Sequence, residues 1–142
     1  MTPEGTFSKL ASDETPLYGP PKFLLCGFAR EAARRFAAVA AAAGLATVPK
    51  VWVETGQATS TLAVLLRLPD GTGAGRPSHL PRAVIVSGIP QAGLARLLTR
   101  WRRAGGKGVL WAVLTPVSET WTVERLLAEL EREHRALRSP RR

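Results

Sequence analysis

Lys22-Phe-Leu-Leu-Cys-Gly27 recurs 61 residues later as Ala83-Val-Ile-Val-Ser-Gly88, and each stretch is a short apolar run that ends in glycine. Such runs are typical of buried strands that stop at a turn. The same offset aligns Arg35 with Arg96, Ala43-Gly44 with Ala104-Gly105, Val48 with Val109, Thr61 with Thr122, and Leu65-Leu66 with Leu126-Leu127. The pattern therefore predicts two copies of a strand–helix–strand–helix unit, residues 21–68 and 82–137.

Each copy continues from its first strand into an amphipathic helix. The helix predicted over residues 29–43 has apolar positions on one side, namely Ala33, Phe36, Ala37, Ala40 and Ala43. The helix predicted from Pro90 to about Ala104 has Leu94, Leu97, Leu98 and Trp101 at helical spacing.

A second strand and a second helix complete each unit, and Thr61 and Thr122 are placed to cap those helices. The longest apolar run, Gly108-Val-Leu-Trp-Ala-Val-Leu114, predicts a central strand. Since strand–helix–strand crossovers are right-handed, the strands within each unit should be parallel. We predict an α/β fold in which two βαβα repeats form one four-stranded sheet with packed helices.

The remaining segments have the composition of connections. Residues 1–20 contain three prolines and no periodic apolar pattern, which predicts a disordered N-terminal arm. Residues 69–81 are rich in glycine and proline and predict a linker between the two units. Residues 138–142 form a short basic tail.

Composition limits the classes of function. The 142 residues are 45% hydrophobic and 22% charged, which is enough for a packed core. Without an apolar run of about 18 residues or a basic and apolar leader, we expect a cytoplasmic protein that does not enter a membrane. The single cysteine excludes an internal disulfide, and neither histidine has a neighbour at metal-ligand spacing. We therefore predict no metal and no cofactor.

The second copy carries a longer signature after its second strand. It reads Ala112-Val-Leu-Thr115, then Trp121-Thr122, then Leu126-Leu-Ala-Glu-Leu130. In these motifs residues 82–137 resemble the bacterial domain-of-unknown-function family 3783. The first copy has Ser60 in place of the tryptophan and matches only in outline. The resemblance implies a small βαβα module and supplies no activity, because the family is defined without one.

Polar residues of the signature loop allow two interpretations. In the first, these residues line a ligand cleft at the C-terminal end of the sheet, which is where open α/β folds bind ligands. They are Thr115, Ser118, Thr120 and Trp121. In the second, Thr115 satisfies backbone groups at the strand end and Trp121 packs across the loop onto the first helix of its unit.

The positive charge is concentrated in the second part of the chain. Of the net charge of +9, residues 82–142 carry +7 and residues 1–81 carry +2. Arg96, Arg100 and Arg103 recur at i, i+4 and i+7 on one side of a predicted helix, and Lys107 follows. Such a basic ridge can contact successive phosphates of nucleic acid. The alternatives are a solvated helix face and a compositional bias, since 16 of the 20 basic residues are arginine.

Cys26 is the only candidate for catalysis. It ends a strand just before Gly27 and a helix N-terminus, a setting that can lower the pKa of a thiol. The residue at the same place in the second copy is Ser87, so the position alternatively requires only a small buried side chain.

No acid, base, nucleophile or metal ligand converges in these patterns. We therefore predict a non-catalytic binding or interaction module, with a protein or a nucleic acid as its partner. Nucleic-acid binding through the basic ridge and a thiol-dependent enzyme using Cys26 are alternative hypotheses. If single copies of such a unit pair, this chain is its own pseudo-dimer and should be a monomer.

Overall fold

The computed structural model describes residues 13–138, in which strands and helices alternate as predicted. Their bounds are β1 Lys22–Cys26, α1 Arg30–Ala42, β2 Lys50–Val53, α2 Leu62–Leu65, β3 Ala83–Ser87, α3 Gln91–Arg103, β4 Leu110–Val113 and α4 Val123–Arg138. Short 3₁₀ turns precede α2 and α4, at Thr55–Gln57 and Ser118–Thr120. The predicted α/β class with a four-stranded sheet is confirmed.

The sheet has the strand order β2-β1-β3-β4. Strands within each half are parallel, β1 with β2 and β3 with β4, as the sequence pattern predicts. The halves meet where β1 pairs antiparallel with β3. This pairing leaves β4 at an edge, so the prediction of a central strand over 108–114 is wrong: the contact between the halves occupies the middle of the sheet.

Residues at the 61-residue offset lie opposite each other in the contact between the halves. Leu24 pairs with Ile85 in the sheet, and Thr61 pairs with Thr122 in an isolated antiparallel bridge. A residue that pairs with its own equivalent lies on a two-fold axis, as in an isologous dimer. Because opposed residues of an antiparallel pair point to the same face, this axis is perpendicular to the sheet.

Hydrogen bonds beside the Thr61–Thr122 bridge obey the same two-fold relation. The backbone N–H of Leu62 donates to the carbonyl of Trp121 at 3.0 Å, and the N–H of Val123 donates to the carbonyl of Ser60 at 2.9 Å. Each half thereby supplies an acceptor for a free N–H group at the start of the other half's last helix. The threonine side chains cap these helices as predicted, accepting from Val64 in α2 and from Arg125 in α4.

The sheet lies between two helical layers, each with its own apolar core. Helices α1 and α3 cover one face, where Phe23, Phe36, Leu97 and Trp101 are buried. The rings of Phe23 and Phe36 meet edge to face, with centroids 5.2 Å apart. Helices α2 and α4 cover the other face, whose core is formed by Leu24, Cys26, Val51, Val53, Leu62, Leu65, Leu66, Ala83, Ile85, Leu114, Val123, Leu126 and Leu127.

Two details of the helices differ from the sequence prediction. Ala37, which the pattern predicts on the buried side of α1, is exposed. The buried side is formed by Phe36, Val39, Ala40 and Ala43. Helix α2 ends at Leu65, whereas the sequence pattern predicts a helix from Leu62 to Leu68. The carbonyls of Leu66 and Leu68 accept hydrogen bonds from the buried ammonium group of Lys22. Within residues 13–138 no helix has both the length and the apolar composition needed to cross a membrane.

Residues 13–20 of the predicted N-terminal arm belong to the described part of the chain, and residues 1–12 lie outside it. Leu17 donates its N–H to the carbonyl of Ile89, and Tyr18 accepts from the N–H of Gly88. The carbonyl of Thr15 accepts from Gln91, the first residue of α3. Residues 13–18 are thus held because they satisfy backbone groups that the start of α3 leaves free. Of the basic tail, Arg138 ends α4 and residues 139–142 lie outside the described part.

The segment predicted as a linker covers the outer edge of β2. The N–H of Trp52 donates to the carbonyl of Thr72, and the N–H of Gly71 donates to the carbonyl of Lys50, both at 2.8 Å. Gly73 has a φ of +80°, and a Cβ there would overlap the carbonyl oxygen of Trp52. The glycines of this segment therefore allow the chain to lie directly against the edge strand.

The turn after β1 predicts a matched pair of substitutions. Gly27 and Gly105 both have positive φ, +71° and +82°, but only at Gly27 would a Cβ overlap a neighbouring backbone atom, the Leu80 carbonyl oxygen. We expect Gly105→Ala to lower the free energy of unfolding by about 1–2 kcal/mol and Gly27→Ala by about 3 kcal/mol or more, measured by urea denaturation. Equal losses would mean that the close approach of residues 80–82 is unimportant.

Candidate functional site

Positive charge collects on the outer surface of α1 and α3. These helices expose seven arginines, and their single carboxylate is Glu31. The arginines are Arg30, Arg34, Arg35, Arg96, Arg100, Arg102 and Arg103. On the opposite face, α4 has four arginines and four glutamates in its sequence. In the folded protein the excess positive charge therefore lies on the side of the sheet covered by α1 and α3, to which both parts of the sequence contribute arginines. We call the exposed surface of α1 and α3 the basic face.

A groove of about 360 Å³ runs between the two helices of the basic face. Arg100 and Arg103 of α3 lie on one side of it, and Ala38 and Ala42 of α1 lie on the other. Both alanines are exposed. Side chains this small allow a bulky ligand to approach the helix backbone between the arginines.

The predicted ridge residues do not all have the same environment. Arg96 donates from Nε to the carbonyl of Ala43 at 3.0 Å, so it caps α1, whose last turn has no basic residue of its own. The two ion pairs found among residues 13–138, Arg76–Glu54 and Arg132–Glu129, include no arginine of the basic face. Lys107 lies apart from the groove, beside Trp101 and β4. Arg100 and Arg103 are therefore the ridge residues free to meet an anion.

A second cavity, of about 350 Å³, lies at the start of α1 and is lined in part by Phe28, Arg30, Trp52 and Arg76. At the offset of 61 residues, the corresponding place in the second half is the start of α3, where residues 13–18 are bound. The two halves therefore present different surfaces at equivalent positions.

The predicted cleft residues are bonded within their own loop. The Thr115 hydroxyl donates to the Ser118 hydroxyl at 3.1 Å and accepts from the Ser118 N–H at 2.9 Å. The Ser118 hydroxyl also accepts from the Thr115 N–H, and the Thr120 hydroxyl donates to the Val117 carbonyl. These contacts close the 3₁₀ turn, and each of these hydroxyl groups has a hydrogen-bond partner within the loop itself.

Trp121 packs against the α2/α4 core and not onto α3, which lies on the opposite face. The guanidinium of Arg125 stacks on its ring, 4.1 Å from the centroid. Its carbonyl accepts the hydrogen bond from Leu62 across the two-fold axis. In this structure the tryptophan of the signature therefore belongs to the contact between the halves.

Cys26 is fully buried in the α2/α4 core. Burial raises the pKa of its thiol from 9.0 to about 12, because the charged thiolate would lose its hydration. A nucleophile must be reachable and must ionise at working pH, and this thiol meets neither condition. No group of three His, Cys, Asp or Glu side chains that could hold a metal ion occurs within residues 13–138.

These features define a three-layer α/β domain with one strongly basic helical face. Residues 82–137 match the sequence model of the family described as a domain of unknown function (DUF3783). The resemblance seen in the signature motifs is thereby confirmed, with the same bounds. Searches of curated proteins and of solved structures found no match to this chain.

The sequence interpretation missed the contribution of α1 to the basic face. Arg34, Ala38 and Ala42 recur at every fourth residue, which places them along one exposed stripe of that helix. That spacing was available in the sequence. What it could not show is that this stripe borders Arg100 and Arg103, since the packing of α1 beside α3 follows from how the halves join.

The buried thiol predicts a specific pH dependence of stability. Between pH 9 and pH 12 the unfolded chain releases the Cys26 proton and the folded chain keeps it. The free energy of unfolding should therefore be unaffected by this group below pH 9 and should fall above it by about 1.4 kcal/mol per pH unit. The contribution of the thiol to this pH dependence is the difference between the native protein and Cys26→Ser, which lacks the titrating group. Urea denaturation of both proteins between pH 8 and pH 11 measures it. Rapid alkylation of the folded protein by iodoacetamide at neutral pH would contradict the assignment.

Proposed function

We propose that the protein is a non-catalytic binding module for nucleic acid and that the basic face contacts the phosphate backbone. The observation that carries this proposal is the segregation of charge, with seven exposed arginines against one carboxylate on α1 and α3. A compositional bias toward arginine would raise the charge of every surface. On α4 the arginines are matched by glutamates instead, so bias alone does not account for the basic face.

The shape of the basic face suits a polymer backbone. Arg100 and Arg103 border a groove whose other wall is made of exposed alanines, and Arg34 lies one turn before Ala38 along the same stripe. Guanidinium groups form paired hydrogen bonds with phosphate oxygens, and their spacing along a helix allows several phosphates to be contacted at once.

The proposed mode of binding is independent of base sequence. The exposed positions of α1 and α3 are arginine, alanine and one glutamate, without an aromatic side chain on which a base could stack. Contacts from arginine to phosphate fix position and supply affinity but do not read sequence. Affinity should therefore depend steeply on salt and weakly on base composition.

The alternative of a thiol-dependent enzyme has no support in the site geometry. Cys26 is enclosed in the core, and the hydroxyl groups of Thr115 and Ser118 in the signature loop are bonded to each other. A binding role uses only groups that the structure leaves exposed.

We propose further that the two halves arose by duplication and take the place of the two subunits of a dimer, so that the protein acts as a monomer. The pairing of Leu24 with Ile85 and of Thr61 with Thr122 supports this, because both pairs lie on the two-fold axis that a dimer would have. Sedimentation equilibrium should give the mass of one chain at micromolar concentration. A stable dimer would contradict this second proposal without affecting the first.

The nucleic-acid proposal predicts the effect of removing three arginines from the basic face. The triple variant Arg34→Gln/Arg100→Gln/Arg103→Gln should weaken binding to fluorescein-labelled RNA and DNA at least about tenfold and lower the slope of log K against log salt by about 2–3. Fluorescence anisotropy at several salt concentrations measures both quantities. Arg96 is left in place because it caps α1.

A matched control carries the same change of charge on the opposite layer, as Arg67→Gln/Arg125→Gln/Arg132→Gln. If only net charge matters, both triple variants will lose affinity equally, and the basic face is then not the binding surface. Absence of binding by the native protein at low salt would reject nucleic acid as the partner altogether.

A further inference from the structure

The two edges of the sheet differ in whether another segment of the chain is hydrogen-bonded to them. The outer edge of β2 is covered by residues 71–73, as described above. Strand β4 forms the other edge, and within residues 13–138 its only sheet partner is β3. The N–H of Leu110 donates to the carbonyl of Arg82, just before β3, and the N–H of Leu114 donates to that of Val86. The N–H and C=O groups of Trp111 and Val113 therefore point away from β3.

The exposed edge of β4 lacks the features that normally prevent pairing. Such edges usually carry a proline, a charged side chain or a bulge. The strand Leu110–Val113 is entirely apolar, its register with β3 is continuous, and Val113 is 38% exposed. It is the same apolar run that the sequence predicts to be central. The backbone groups at this edge can therefore form hydrogen bonds with another strand.

Two grooves flank this edge, one on each face of the sheet. The groove toward α4, of about 590 Å³, is lined in part by Arg82, Leu110, Glu131 and Arg135. The groove toward α3, of about 270 Å³, is lined by Leu98, Trp101, Arg102, Gly106, Lys107, Gly108, Val109 and Trp111. Because side chains of an added strand would alternate between the two faces, successive residues would enter one groove and then the other.

From the bare edge and these grooves we infer that β4 binds an extended, acidic segment of a partner protein, which adds to the sheet as a fifth strand. Backbone hydrogen bonds to Trp111 and Val113 supply affinity, as in other cases of strand addition. Specificity comes mainly from the groove toward α3, where no carboxylate lies beside Arg102 and Lys107 among the lining residues. The groove toward α4 adds Arg135, which lies near Glu131. The guanidinium of Arg82 lies over the Phe28 ring, 5.5 Å from its centroid, and is not part of this argument.

An unsatisfied donor is buried beside the groove on the α3 side. The Nε1–H of the buried Trp101 has no hydrogen-bond acceptor within residues 13–138, and it lies against Gly106. A buried N–H without an acceptor is costly. A carboxylate side chain entering this groove brings acceptor oxygens next to Gly106, the residue that lies against this donor.

The charge of the grooves favours such a peptide over a second copy of this chain. Pairing of β4 with β4 across a two-fold axis would bring the same basic residues of two molecules together. Like charges in close contact oppose association. An acidic strand is attracted instead, chiefly by Arg102 and Lys107 on the face toward α3.

The test uses the native protein and a fluorescein-labelled peptide, Val-Glu-Glu-Val-Glu-Glu-Val, which places glutamates on both faces of a strand. We expect binding by anisotropy and slower amide hydrogen exchange at Trp111 and Val113. N-methylation of alternate peptide residues should weaken binding at least about tenfold, because it removes backbone donors. A peptide with lysine in place of glutamate should not bind.

Protein variants separate this site from the basic face. Lys107→Glu/Arg135→Glu should weaken peptide binding at least about tenfold, whereas Arg100→Glu/Arg103→Glu, with the same change of charge, should alter it less than about twofold. The inference is overturned if the N-methylated peptide binds equally well, if exchange at Trp111 and Val113 is unchanged, or if the native protein forms dimers in which these two amides are protected. Nucleic-acid binding can fail without any of these results.

Discussion

The antiparallel pairing of β1 with β3, centred on Leu24 and Ile85, is the interaction on which the rest of the structure depends. Each half alone would be a two-stranded parallel sheet, too small to bury its own apolar faces. Joining the halves through their first strands makes β1 and β3 fully buried and extends both cores across the axis. The bridge between Thr61 and Thr122 fixes the same axis a second time, on the α2/α4 side.

The direction of this axis explains why charge collects on one surface. A two-fold axis perpendicular to the sheet carries α1 onto α3 without exchanging the two faces, so the long first helices of both halves lie side by side. Both are rich in arginine on their exposed sides, and their alanines and arginines form a common groove. An axis lying in the plane of the sheet would have placed these helices on opposite faces.

The same axis leaves β2 and β4 as edges, and the connecting segments then make the halves unequal. Residues 71–73 cover β2, and residues 13–18 hold the start of α3. The start of α1 and the outer edge of β4 have no such cover within residues 13–138. The two halves therefore share a fold and differ in the surfaces they offer. This is why equivalent residues such as Ala38 and Thr99, or Trp52 and Val113, have no common role.

The sequence by itself determined the elements and their class. Alternation of apolar strands and amphipathic helices, glycines after the strands, and capping threonines at 61 and 122 are properties of near neighbours along the chain, and the structure has each of them. It also contained the signature of the family matched by residues 82–137. Only the tertiary structure decided that β1 pairs with β3, that the apolar run of β4 forms an edge, that Cys26 is buried in the core and that Ala42 of α1 lies across a groove from Arg100. Each of these depends on contacts between residues far apart in the chain, which no local pattern of hydrophobicity or charge specifies.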